Sequence, residues 1–129
     1  MIYIDSSVLL ADLLAEARSP PAALWDEEDL ASSRLLAYEV WNRINAHGLM
    51  VPLRVRASGL LARVSFTEMS EQVLARALEP FPVVVRTLDA LHLATMEFLR
   101  SEGEPVELAS YDNRLIAAAR TLGIAFATL

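Results

Sequence analysis

Apolar residues recur along the chain in short blocks, and their spacing switches repeatedly between that of a buried strand and that of a helix. Ile2 to Ile4 reads as a short buried strand, and Asp5-Ser6-Ser7 reads as a helix start ahead of the apolar run Val8 to Leu14. Pro20-Pro21 breaks the pattern, Asp26 to Asp29 is a solvated acidic turn, and Leu30-Ala31-Ser32 is a second strand. A helix is predicted from about Arg34 to His47, ended by Gly48, and another from Pro52 to Arg63. Val64-Ser65-Phe66 follows as a strand, and Ser70 opens a helix that stops before Pro80 and Pro82. Thr87 is read as the cap of a long helix from Leu88 to about Arg100, and Val106 to Ser110 as a β run. Asn113 to Leu122 is a helix closed by Gly123, and Ile124 to Phe126 is the last strand. This alternation predicts an α/β fold, a three-layer α/β/α sandwich around a short, mainly parallel sheet of roughly four or five strands.

The chain has 129 residues, 54% of them hydrophobic, and no linker or low-complexity stretch divides it, so residues 1–129 are expected to form one domain. Cysteine is absent, which excludes disulfides, thiolate nucleophiles and sulfur-ligated zinc. With no basic leader and no apolar run near the ~20 residues a bilayer requires, a soluble cytoplasmic protein with no membrane partner is expected. All 11 basic residues are arginine, so phosphate-binding P-loops and Schiff-base chemistry are excluded for want of a lysine. None of Gly48, Gly59, Gly103 and Gly123 lies in a strand-to-helix turn, which also argues against nucleotide cradles. A net charge of −6 argues against a protein that coats nucleic acid, but not against a nuclease with local cations at one cleft.

The candidate chemistry lies in four carboxylates. Asp5 and Asp112 each stand where a strand ends and a helix begins, the position at which open α/β sheets bind ligands. Either Asp also makes an ordinary helix cap. Asp89 sits in the apolar stretch Leu88 to Ala94 near a helix start, where a charge needs a cation, donors or exposure. Glu39 is similarly surrounded by Leu35, Leu36, Tyr38, Val40 and Trp41, although from the residues alone an i, i+4 pair with Arg43 on an exposed helix face is the preferred reading. Clustered, such acids repel one another unless a positive charge sits among them. With only His47 and His92 as nitrogen donors, the consistent site is all-oxygen and suits Mg²⁺ or Mn²⁺ better than zinc. His92 is read as a core or supporting histidine rather than a ligand, and His47 as a helix-end residue.

Four segments, Ile4-Asp5-Ser6-Ser7-Val8-Leu9, Tyr38-Glu39-Val40, Arg86 to Ala94 and Ser110-Tyr111-Asp112-Asn113-Arg114-Leu115, occur in an order that resembles PIN domains of the VapC type over essentially the whole chain. The resemblance implies a PIN fold and a Mg²⁺- or Mn²⁺-dependent endoribonuclease, the toxin of a toxin–antitoxin pair, in which water activated by the cation attacks phosphorus in line. It further implies RNA as substrate, a VapB-like antitoxin as partner and a homodimer. Asp5, Glu39, Asp89 and Asp112 match the acidic metal-binding set, and Ser6, Ser7 and Ser110 match the hydroxyl positions that support it. Arg86 and Arg114 flank two of the acids, to contact substrate phosphates or to neutralise carboxylates. Some relatives carry a further acid or amide where this chain has Leu115, which leaves one or two ions open. Trp25 and Trp41 read as core residues, Arg54, Arg56 and Arg63 as solvated surface, and the helices Val8 to Leu14 and Arg34 to His47 as the surface for antitoxin or dimer mate.

Two other enzyme-like readings begin with a strand ending in Asp. A haloacid dehalogenase-like phosphohydrolase needs a second Asp where Ser7 stands and a lysine, and a response-regulator receiver also needs a lysine. The non-enzymatic alternative is a catalytically silent PIN-like interaction domain.

Overall fold

The computed structural model describes residues 1–129. Strand β1 (Ile2–Ile4) runs into helix α1 (Ser6–Leu13), and after a 3₁₀ turn at Ala22–Asp26 come β2 (Leu30–Ser33), α2 (Leu35–Ala46) and α3 (Met50–Leu61). The remainder is β3 (Ser65–Thr67), α4 (Glu71–Leu78), α5 (Thr87–Ser101), β4 (Glu107–Ala109), α6 (Asn113–Thr121) and β5 (Ala125–Phe126). The sheet has five strands in the order β3-β2-β1-β4-β5, and every pairing is parallel. The expected α/β/α sandwich is therefore observed.

Side chains alternate across a strand, so neighbours in β1 feed opposite layers. Ile4 joins Val8, Leu9, Leu36, Val40, Ile44 and Leu61 under α1, α2 and α3. Tyr3 joins Leu93, Met96, Leu108, Leu115 and Ala119 under α5 and α6. Helix α4 packs against α5, held in part by Arg76 Nε donating to Glu97 Oε2 at 2.7 Å. Gly123, at φ +70°, lets the chain leave α6 in the left-handed conformation that a helix terminus requires. No helix is long and apolar enough to cross a membrane.

The differences from the sequence reading are local but informative. Helix α3 begins at Met50 rather than Pro52, because proline is tolerated in a first turn where its missing N–H has no intrahelical partner. Thr87 is the first helical residue of α5 and not its cap; Arg86 occupies that position without a side-chain cap. Helix α1 buries Val8, Leu9, Leu10, Ala11 and Leu13, so it is a core element, while α2 buries Leu36, Val40 and Ile44 and leaves Tyr38 67% exposed. Arg56, 60% exposed as expected of a surface arginine, also pairs with Asp12, which accepts from Trp25 Nε1 at 2.8 Å.

Candidate active site

The strand order reverses between β1 and β4, and there the loops leaving the two strands part to form a crevice. Register decides what meets in it. Ile4 pairs with Ala109, so the next residues, Asp5 and Ser110, lie side by side at the carboxyl ends of the strands. Asp5 is 4% exposed, and its Oδ2 accepts from the hydroxyls of Ser7 at 2.6 Å and Ser110 at 2.9 Å, and from Ser7 N at 3.3 Å. Both hydroxyls are held from the far side: Tyr111 N donates to Ser7 Oγ, and Asp112 N to Ser110 Oγ, each at 2.9 Å. Ser6, half-buried in the first turn of α1, has no part in this network.

Asp5 and Asp112 are also helix caps. Asp112 Oδ1 accepts from Arg114 N at 2.9 Å and Leu115 N at 3.3 Å, as Asp5 accepts from Ser7 N. Capping engages one carboxylate oxygen and leaves the other, so it does not compete with ligation. Glu39 follows the same rule, because its Oε1 bonds His92 Nε2 at 2.5 Å rather than pairing with Arg43. In three carboxylates, then, one oxygen is anchored by the protein and its partner oxygen receives no protein donor. No buried polar side-chain atom lacks a partner, so those second oxygens reach solvent in the crevice.

Asp89 completes the group from the first turn of α5. Its pKa is raised above the ordinary aspartate value, first by burial, then by the negative charges of Asp112 and Asp5; His92 opposes the shift and Glu39 adds to it. Four acids from four separate elements therefore share one electrostatic neighbourhood. They are not closed into a cage: no three Asp, Glu or His side chains stand within metal-cluster geometry. Asp89, Arg86 and Arg114 line a cavity of about 440 Å³ together with Val83 to Val85 and Ala117-Ala118. A larger apolar cavity, about 670 Å³ between α4 and the segment from Glu79 to Val85, is lined by none of the four acids. Leu115 is fully buried, so α6 offers no further oxygen at that position.

Tyr3 and Ser33, which carry no recognisable site motif, adjoin the cluster through His92. Tyr3 is fully buried, its hydroxyl 2.7 Å from His92 Nδ1, and it accepts from Ser33 N at 3.1 Å. A tyrosine in an otherwise aliphatic buried strand was the available signal, because its hydroxyl must find a partner. Burial lowers the pKa of His92, but the hydrogen bond and charge of Glu39, with Asp5 and Asp89, outweigh it and the net shift is upward.

The family model described as PIN domain matches residues 2–127. The chain belongs to the PIN-domain family. Relatives of this PIN domain include ribonuclease VapC47 of Mycobacterium tuberculosis (strain CDC 1551 / Oshkosh), 29% identical over 99% of this chain and 96% of the relative. Ribonuclease VapC35 of the same strain is 33% identical, with 97% and 94% covered, and ribonuclease VapC46 of strain ATCC 25618 / H37Rv is 32% identical, with 96% and 94% covered. Within this PIN domain, Ser110 both donates to Asp5 and accepts from Asp112 N, so Ser110→Ala is expected to lower stability by about 1–3 kcal/mol, measured by urea unfolding. An unchanged midpoint and slope would show that the two strand ends are not joined through this hydroxyl.

Proposed function

We propose that the protein is a metal-dependent endoribonuclease, the toxin of a VapBC-type pair, in which Asp5, Glu39, Asp89 and Asp112 hold Mg²⁺ or Mn²⁺. The observation that carries this reading is the shared neighbourhood of the four acids at the β1/β4 crevice, where three of them keep one oxygen free. An all-oxygen, sulfur-free donor set fits a hard divalent cation. When bound, such a cation lowers the pKa of water and stabilises the negative charge that develops in phosphodiester hydrolysis.

The chain's own residues supply orientation. Ser7 and Ser110 fix the plane of the Asp5 carboxylate, and the backbone amides of Arg114 and Leu115 fix that of Asp112. Arg86 and Arg114, on the wall of the cavity that Asp89 also lines, provide the local positive charge that a protein of net charge −6 needs to receive a polyanion. Kinship with proteins named ribonuclease VapC supports RNA as substrate and a VapB-like antitoxin as partner; a homodimer acting in the cytoplasm belongs to the same reading.

Purified protein is expected to cut labelled RNA only with added Mg²⁺ or Mn²⁺ and to stop on chelation. Failure to cut any tested class of RNA under either ion, or cutting that survives EDTA, overturns the reading. In the same assay, Arg86→Ala and Arg114→Ala are expected together to raise KM about 10-fold with kcat little changed, and to flatten the dependence of KM on salt. A loss confined to kcat would remove these arginines from substrate binding.

A further inference from the structure

Glu39 differs from the other three acids in how it is held. Asp5 and Asp112 are held by hydrogen bonds within the turns they cap and Asp89 stands in the first turn of α5, whereas Glu39 sits in mid-helix on a long side chain and is anchored only by a residue of another element. Its helix packs in the layer of α1 and α3, whereas its only hydrogen-bonding partner, His92, belongs to α5 in the opposite layer. The contact therefore spans the carboxyl edge of the sheet.

His92 is 1% exposed and is itself fixed at its other nitrogen. Ser33 N can only donate, so it occupies a lone pair of the Tyr3 oxygen at 3.1 Å. In the neutral imidazole the Tyr3 hydroxyl donates to His92 Nδ1, 2.7 Å away, and His92 carries its own proton on Nε2, facing Glu39 Oε1 at 2.5 Å. The result is one directed chain, Ser33 N–H to Tyr3 O–H to His92 Nε2–H to the Glu39 carboxylate. A polar chain in an apolar core is costly unless every member is bonded, and here every member is.

We infer that Tyr3 and His92 are positioning residues, which lock one oxygen of Glu39 through this chain so that the other is presented to the cation. This rests on the metal-binding reading above. The role is orientation, since neither residue faces the crevice.

Mn²⁺ affinity measured by calorimetry, without RNA, tests it. His92→Leu is expected to weaken Mn²⁺ binding about 10- to 100-fold, and His92→Gln, which keeps a donor toward Glu39, to recover most of the loss. In a Glu39→Ala background, His92→Leu should cost nothing further, because a residue that acts through Glu39 has nothing left to orient. Equal losses in both backgrounds, or no loss in the folded single variant, overturn the inference. A wild-type protein that binds no Mn²⁺ defeats the metal reading instead, and the chain is then decided by ¹H–¹⁵N spectra of the imidazole. A slowly exchanging Nε2–H with Nδ1 unprotonated, moved by both Tyr3→Phe and Glu39→Gln, upholds it. A proton on Nδ1 alone, or no effect of Glu39→Gln, refutes it.

Discussion

Asp5→Asn is expected to abolish Mg²⁺- or Mn²⁺-dependent RNA cleavage while leaving the fold in place. Asparagine caps helices as well as aspartate does, so α1 keeps its start, and the amide oxygen still accepts from Ser7 and Ser110. What disappears is the negative charge on the oxygen that no protein donor engages. Groups that merely orient a ligand are worth about 10- to 100-fold in affinity or activity, so removal of a direct ligand should exceed ~100-fold. Initial rates on labelled RNA, read beside a circular-dichroism melt, decide the matter. Retention of even a tenth of the rate in a folded variant would move the chemistry away from the β1/β4 crevice.

Asp89→Asn is expected to destroy the same activity and yet to stabilise the protein in the absence of divalent ions. The sign follows from the raised pKa, caused first by burial and then by Asp112 and Asp5. An acid whose folded pKa exceeds its unfolded pKa binds more protons when folded, so stability falls as pH rises between the two values. The penalty is fully present above the folded pKa and absent below the unfolded carboxylate value. The variant should therefore melt higher than wild type at neutral pH, and the gap should close on acidification. Adding Mn²⁺ should raise the melting temperature of the wild type and not that of the variant, because only the former gains a ligand-linked stabilisation. A variant less stable than wild type at neutral pH would contradict the electrostatic account of the cluster.

The architecture was legible from spacing because strong periodic blocks and clear punctuation, such as Gly48, Pro80 and Gly123, agree with the tertiary packing. Errors fell at edges, as with Thr87, where an extended segment after Pro82 set the helix start one residue early, while the apolar run of α1 serves the core. Asp5 and Asp112 were legible because a strand, an acid and a helix in succession fix a place in the fold. Glu39 could be placed only by resemblance, since spacing alone favours Arg43 as its local partner and nothing in it points to His92, 53 residues away. Tyr3 signals only that its hydroxyl must find a partner; which partner depends on register against β2 and on the packing of α5, which a single strand pattern does not contain.

The bond from Ser110 to Asp5 closes a loop of 105 residues at the centre of the sheet. Closure over that length is the kind of contact that folding makes late, after local helices have formed. A chain in which β4 has not yet paired with β1 has not brought Ser110 and Asp112 beside Asp5, so the proposed cation site is incomplete until that pairing forms. Under the proposed function, the capacity to bind the cation would therefore arrive only with the last third of the chain, which carries Asp89, Ser110 and Asp112.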